Sequence, residues 1–126
     1  MQVHGVKWSK LTHIFISHMH GDHYFGLPGL INSMSLLGRQ APLHLYGPAP
    51  IMPMMQQIIE LAGAPLCYPL HFTPLPDGAG VVADTELFKV TCFPVEHRIA
   101  CHGFLIESKN RGRKILPVPC RDYEIP

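Results

Sequence analysis

A chain of 126 residues that is 47% hydrophobic and 15% charged has the composition of a folded, well-buried domain, which excludes a disordered or fibrous polymer. Its longest nearly apolar run, Tyr24 to Ile31, is far short of the roughly 20 residues a bilayer requires, and no signal-like segment opens the chain, so the expectation is a cytoplasmic protein with no membrane partner. A formal net charge of +1 excludes nucleic-acid binding by overall charge, although Lys109, Arg111, Arg113, Lys114 and Arg121 gather half of the basic residues near the C-terminal end, so any polyanion contact would be local.

In chain order, Ile14-Phe15-Ile16 is a short run of strand formers of the kind buried on both faces, and it ends at Ser17. From Tyr24 to Leu37, Phe25, Leu27, Leu30, Ile31, Met34 and Leu37 recur at helical spacing, with Pro28 tolerable only in the first turn and Gly38 as the stop. Leu43 to Tyr46 reads as a second strand closed by Gly47-Pro48, and Ile51 to Leu61 as a second helix stopped by Gly63, with Met52, Met54 and Met55 as apolar filling. Leu66 to Phe72, Val81 to Ala83, Leu87 to Phe93 and Gly103 to Glu107 are strand-like, separated by turns such as Pro76-Asp77-Gly78 and Asn110-Arg111-Gly112. This order predicts an α/β architecture in which a sheet carries helices on its outer face.

Cys67, Cys92, Cys101 and Cys120 lack C-x-x-C spacing and read as buried, reduced thiols. The nine histidines matter more. Ser17-His18-Met19-His20-Gly21-Asp22-His23 puts three imidazoles and a carboxylate where a buried strand gives way to a helix. At strand-like spacing His18 and His20 point the same way and reach one ion, while Gly21 permits a sharp turn that redirects Asp22 and His23 to a neighbouring position, so two metals are geometrically reasonable. Imidazole nitrogen with a carboxylate suits zinc best, with manganese or iron also compatible. His97, at the strand end Phe93-Pro94-Val95-Glu96-His97, would complete a facial set on the first ion and leave a position open for water. His4, His13, His44, His71 and His102 read as surface or hydrogen-bonded core residues, and Ser17 as a loop-shaping hydroxyl.

The segment Ile14-Phe15-Ile16-Ser17-His18-Met19-His20-Gly21-Asp22-His23, followed by Phe25-Gly26-Leu27-Pro28-Gly29-Leu30, resembles the metallo-β-lactamase superfamily. Leu45-Tyr46-Gly47-Pro48 and Phe93-Pro94-Val95-Glu96-His97-Arg98-Ile99, leading to His102-Gly103-Phe104-Leu105-Ile106-Glu107, narrow the resemblance to the ribonuclease Z family of tRNA 3′-endonucleases. The resemblance implies an αβ/βα sandwich and a zinc-dependent phosphodiesterase that removes 3′ trailers from tRNA precursors. It also implies His18, His20 and His97 on one zinc, Asp22 and His23 on a second, and Asp22 as the catalytic group that orients or deprotonates the attacking water. Two cations acidify such a water and polarise the phosphodiester oxygens, so no protein nucleophile is needed.

The family pattern also contains strands ahead of the first motif, a flexible tRNA-gripping arm, a Gly-Asp-Thr type motif whose Asp bridges both metals, and a final metal-binding His; none of these is found in this sequence. The expectation is a fragment of a longer gene product: one partial domain over residues 1–126, catalytically incomplete by itself and inclined to homodimerise or self-associate. The basic run Lys109 to Lys114 could touch an RNA backbone or be a solvated turn. Competing readings are another hydrolase of the same fold acting on DNA, a cyclic nucleotide or a thioester, and a non-catalytic piece that folds only by association.

Overall fold

The computed structural model describes residues 7–109. The turn at Asn110-Arg111-Gly112, the basic residues beyond Lys109, Cys120 and His4 lie outside the described residues.

After a 3-10 turn at Trp8–Lys10 come β1 (His13–Phe15), α1 (Gly21–Tyr24), α2 (Leu27–Leu36), β2 (Leu43–Gly47), α3 (Ile51–Ala62), β3 (Leu70–Pro74), β4 (Gly80–Asp84), β5 (Phe88–Pro94) and β6 (His102–Ser108). β1, β2 and β3 form a parallel sheet in that order, and β4, β5 and β6 an antiparallel one. The strand-helix alternation followed by strands alone therefore folds as the sequence pattern predicts. No helix among the described residues is long and apolar enough to cross a membrane.

Two corrections to the first helix are physical. The helical spacing that begins at Tyr24 is split into α1 and α2, and Pro28 lies in the first turn of α2 where its missing N–H costs nothing. Phe25 and Leu37, counted on the apolar face, are exposed, because only Leu27, Ile31 and Met34 of that pattern turn fully onto the sheet, with Leu30 partly buried behind them. α2 and α3 are each followed by a glycine in the left-handed region, Gly38 (φ 80°) and Gly63 (φ 59°), the conformation an L-residue adopts only at a cost.

Alternation along the strands separates two cores. Ile16, Leu43 and Leu45 pack against Leu27, Ile31 and Met34 of α2 and Ile51 and Met55 of α3. On the opposite face Tyr46 meets Ala83 and Val90 of the antiparallel sheet, with Phe15, Phe88 and Phe104 around them. The layers are thus helices, parallel sheet, antiparallel sheet. β1 is covered on both faces, although its residues are half-buried rather than sealed. Ile16 falls just past the strand and keeps its backbone bond to Tyr46 O at 2.8 Å.

The same alternation aligns three histidines. His13, His44 and His71 are register partners across the parallel strands. Their rings stack, with centroids 4.8 Å apart for His13 and His44 and 5.1 Å for His44 and His71. Read singly as surface or hydrogen-bonded groups, they form a ladder on the face between the sheets, and Phe88 closes edge-on over His13. Cys92 and Cys101 are buried free thiols as expected, but Cys67 is exposed. It lies outside the strand expected from Leu66, because β3 starts only at Leu70.

Gly47 is buried where the end of β2 meets Ile51 and Ile16, and a Cβ there would lie 2.7 Å from Ile51 Cδ1 and 3.2 Å from Ile16 Cβ. Gly47→Ala is expected to cost about 1–3 kcal/mol by overpacking, read as a lowered denaturation midpoint. Burial, reinforced by His44, holds His13 below the ordinary imidazole pKa. The unfolded chain therefore takes up that proton first, so stability is full above the unfolded imidazole pKa of about 6.5 and declines as pH falls through the lower native value. Thermal melts at pH 7.5, 6 and 5 should show this decline, and His13→Phe should reduce its slope.

Candidate metal centre

The polypeptide leaves β1 in extended form through Ser17 and turns into α1 at Gly21. Gly21 serves by lacking a side chain, since a Cβ there would lie 2.2 Å from the Phe25 ring; it is not among the positive-φ glycines. Across the gap between the sheets, the loop from Val95 to Cys101 is closed by Val95 N–H donating to Cys101 O at 3.0 Å. One residue on, His102 N–H donates to Ser17 O at 3.0 Å, so the start of β6 is fastened to the first histidine loop.

That fastening brings His18, His20 and His97 together, with one ring nitrogen from each within 4.8 Å of the other two. His18 Nε2 is 3.0 Å from His20 Nδ1. Two donors at 2.0–2.1 Å from one tetrahedral zinc are about 3.4 Å apart, so the pair stands at hydrogen-bond distance and would open by a few tenths of an ångström to share one ion. His18 is 4% exposed, whereas His97 is open to solvent. At the back of His18, Nδ1 lies 2.7 Å from Ser17 Oγ and 3.5 Å from Cys101 Sγ. At His97, Nδ1 accepts the Arg98 backbone N–H at 2.9 Å.

Asp22 and His23 stand beside this cluster and not within it. The His23 ring centre is 4.0 Å from that of His18, but its Nε2 faces Asp22 Oδ2 at 3.5 Å, and both side chains are exposed. Burial, then His23, His20 and His97, lower the His18 pKa, and Asp22 acts in the opposite direction. The ring is thereby kept neutral near pH 7, the state in which its nitrogen lone pair is available to a cation. A pocket of about 390 Å³ opens beside His97, lined by Asp77, Glu96, Arg98 and His102 among others. His102 Nε2–H donates to Pro76 O at 2.9 Å, and its Nδ1 is buried with no hydrogen-bond partner among the described residues.

A family model described as a beta-lactamase superfamily domain matches residues 2–116. The chain belongs to the beta-lactamase superfamily. Its two sheets with helices on one face are part of the metallo-β-lactamase sandwich, and the histidine cluster sits where loops from both sheets meet. Within the superfamily, it is 44% identical over 121 residues to a ribonuclease Z of Lactiplantibacillus plantarum, covering 96% of this chain and 39% of that protein. It is also 44% identical over 102 residues to a ribonuclease BN of Escherichia coli, covering 81% of this chain and 33% of that one. The crystal structure of the short form of human tRNase Z superposes with a TM-score of 0.71 at 31% identity, over 84% of this chain and 48% of that chain. The chain therefore spans one third to one half of the length of these superfamily members.

The ligand-type residues of the first loop and His97 were legible as candidates in the sequence. Cys101 and His102 were not, because their relation to Ser17 and His18 exists only across the two sheets. His97→Ala is expected to leave the fold intact, since the side chain is exposed, while weakening any divalent-cation binding at the cluster by at least ~10-fold. Chelator competition alongside circular dichroism checks both halves of that expectation.

Proposed function

We propose that this chain carries the first metal-binding part of a zinc-dependent endoribonuclease of ribonuclease Z type, acting in the cytoplasm on the 3′ trailers of tRNA precursors. The observation that carries this reading is the convergence of His18, His20 and His97 from loops of two different sheets. The likeness to ribonuclease Z and tRNase Z proteins supports it.

In this reading one zinc is held by His18 Nε2, His20 Nδ1 and His97, with Asp22 and His23 serving a second ion. Bound zinc acidifies water and polarises a phosphoryl oxygen. The chain's own residues do the rest. The buried His18 gives a rigid donor, His20 supplies a second at 3.0 Å, and the exposed carboxylate of Asp22 orients water and takes its proton. Arg98, beside His97 in the open pocket, supplies positive charge toward a phosphate.

The reading includes one partial domain over residues 1–126 that lacks a full ligand set by itself. It also includes self-association or homodimerisation through uncovered apolar surface: Leu105 and Ile106 on the outer strand β6 are 53% and 63% exposed. Sedimentation velocity should show dimers or larger species that dissociate when Ile106 is replaced by Lys; a monodisperse monomer at high concentration counts against it.

Catalysis is tested by cleavage of a tRNA precursor. The chain alone is expected to show negligible activity. Joined to the C-terminal part of the Lactiplantibacillus ribonuclease Z, it should cleave in a chelator-sensitive manner, and Asp22→Ala in that fusion should reduce the rate by ~100-fold or more, the loss of a positioned acid or base. An active Asp22→Ala fusion removes Asp22 from its role, and an inactive parent fusion overturns the tRNA-processing reading.

A further inference from the structure

Metal sites depend on what lies behind the ligands, and the back of His18 is unusually well defined. Its Nδ1 has Ser17 Oγ at 2.7 Å and Cys101 Sγ at 3.5 Å, and both His18 and Cys101 are buried, at 4% and 8% exposure. The backbone clamps this arrangement from both sides, through His102 N–H to Ser17 O and Val95 N–H to Cys101 O, each 3.0 Å. His97 is held differently. Its Nδ1 accepts the Arg98 N–H, which assigns the proton of the neutral ring to Nε2, so ligation through that atom requires the bond to open.

We propose that Ser17 and Cys101 are positioning residues that make His18 the pre-set anchor of the metal centre: the Nδ1–H of His18 donates to the serine oxygen, with the sulfur as a second acceptor, and the Nε2 lone pair is turned toward His20, whose Nδ1–H donates to it at 3.0 Å. This deepens the proposed metal-binding role and rests on it for its purpose, but the state of the ring can be measured without a metal. A hydroxyl or sulfur that accepts from the far nitrogen of a ligating imidazole fixes its tautomer and orientation, and loss of such a partner typically lowers metal affinity by ~10 to 100-fold. In this geometry His18 would offer a cation its Nε2 in a fixed orientation, whereas His20 would first have to give up its Nδ1 contact with His18 and His97 its bond from the Arg98 N–H.

Two measurements on the full chain decide the matter. Long-range ¹H–¹⁵N correlation of the metal-free protein should find His18 as the Nδ1–H tautomer and His97 as the Nε2–H tautomer, and zinc should change His97 but not His18. A His18 ring protonated on Nε2, or an even mixture of tautomers, overturns the proposal without recourse to any variant. Cobalt titration against a chelator should then give ~10-fold weaker binding for Ser17→Ala, a smaller loss for Cys101→Ala, and wild-type affinity for Ser17→Thr, which keeps the hydroxyl. Wild-type affinity in Ser17→Ala, or failure of Ser17→Thr to restore it, overturns the role of the hydroxyl. Should the wild-type chain bind neither zinc nor cobalt, the metal-binding function falls, while the tautomer of His18 still decides what Ser17 does.

Discussion

The site depends on β1 being packed from two sides at once. Strand alternation sends Ile14 and Ile16 to the helices and Phe15 to the antiparallel sheet. Phe15 stacks on Tyr46 with centroids 4.7 Å apart and leans on Phe104 at 5.4 Å, so this one side chain joins β1, β2 and β6. Full burial of such a ring is worth about 1.5–3 kcal/mol. Its positional effect is larger than its energy, because it sets the spacing at which the loop after β1 and the loop before β6 face each other. The bond from His102 to Ser17 then fixes their register, and the histidines are brought together by packing some residues away.

The chemistry of the cluster follows from where the sandwich puts it. His18 lies at the end of an apolar strand with three further imidazoles around it, a setting that disfavours its protonation. The carboxylate that opposes this effect, Asp22, stands at the solvent edge. The result is a patch of imidazole nitrogens with a carboxylate at its rim, receptive to a cation. Within it rigidity is graded: His18 is gripped on its far nitrogen by side chains from two loops, and His97 hangs from a loop held by one backbone bond.

Sequence reading reached the elements that depend on local signals. Ile51 and Gly63 bracket α3 because apolar periodicity and a left-handed stop are both written locally. The split between α1 and α2 was not legible, since a helical repeat continues across it. The late start of β3 was hidden for a different reason. Leu66 to Tyr68 are apolar enough for a strand, but Cys67 N–H is taken by Ser35 Oγ at 2.8 Å and Tyr68 OH donates to Ile31 O at 2.8 Å, so the segment is tied to α2 instead of to β2. Likewise His97 could be picked out by its strand-end position, whereas the partnership of Cys101 with His18 required knowing which strands of different sheets lie opposite.

The imidazole ladder at the far end of β1 bears on the assembly of the sheet. Parallel strands with apolar residues on both faces discriminate poorly between neighbouring alignments, because a slide along the axis exchanges one hydrophobe for another. His13, His44 and His71 break that degeneracy. A shift of one residue would drive the His44 ring in among Ile31, Met34 and Met55, a compartment in which the contacting side chains are apolar, leaving its nitrogens without acceptors. A shift of two would return it to the correct face but unstack it from both neighbours. The three rings thus mark the register of the parallel sheet, and that register is the one in which His18, at the other end of β1, lies opposite Cys101.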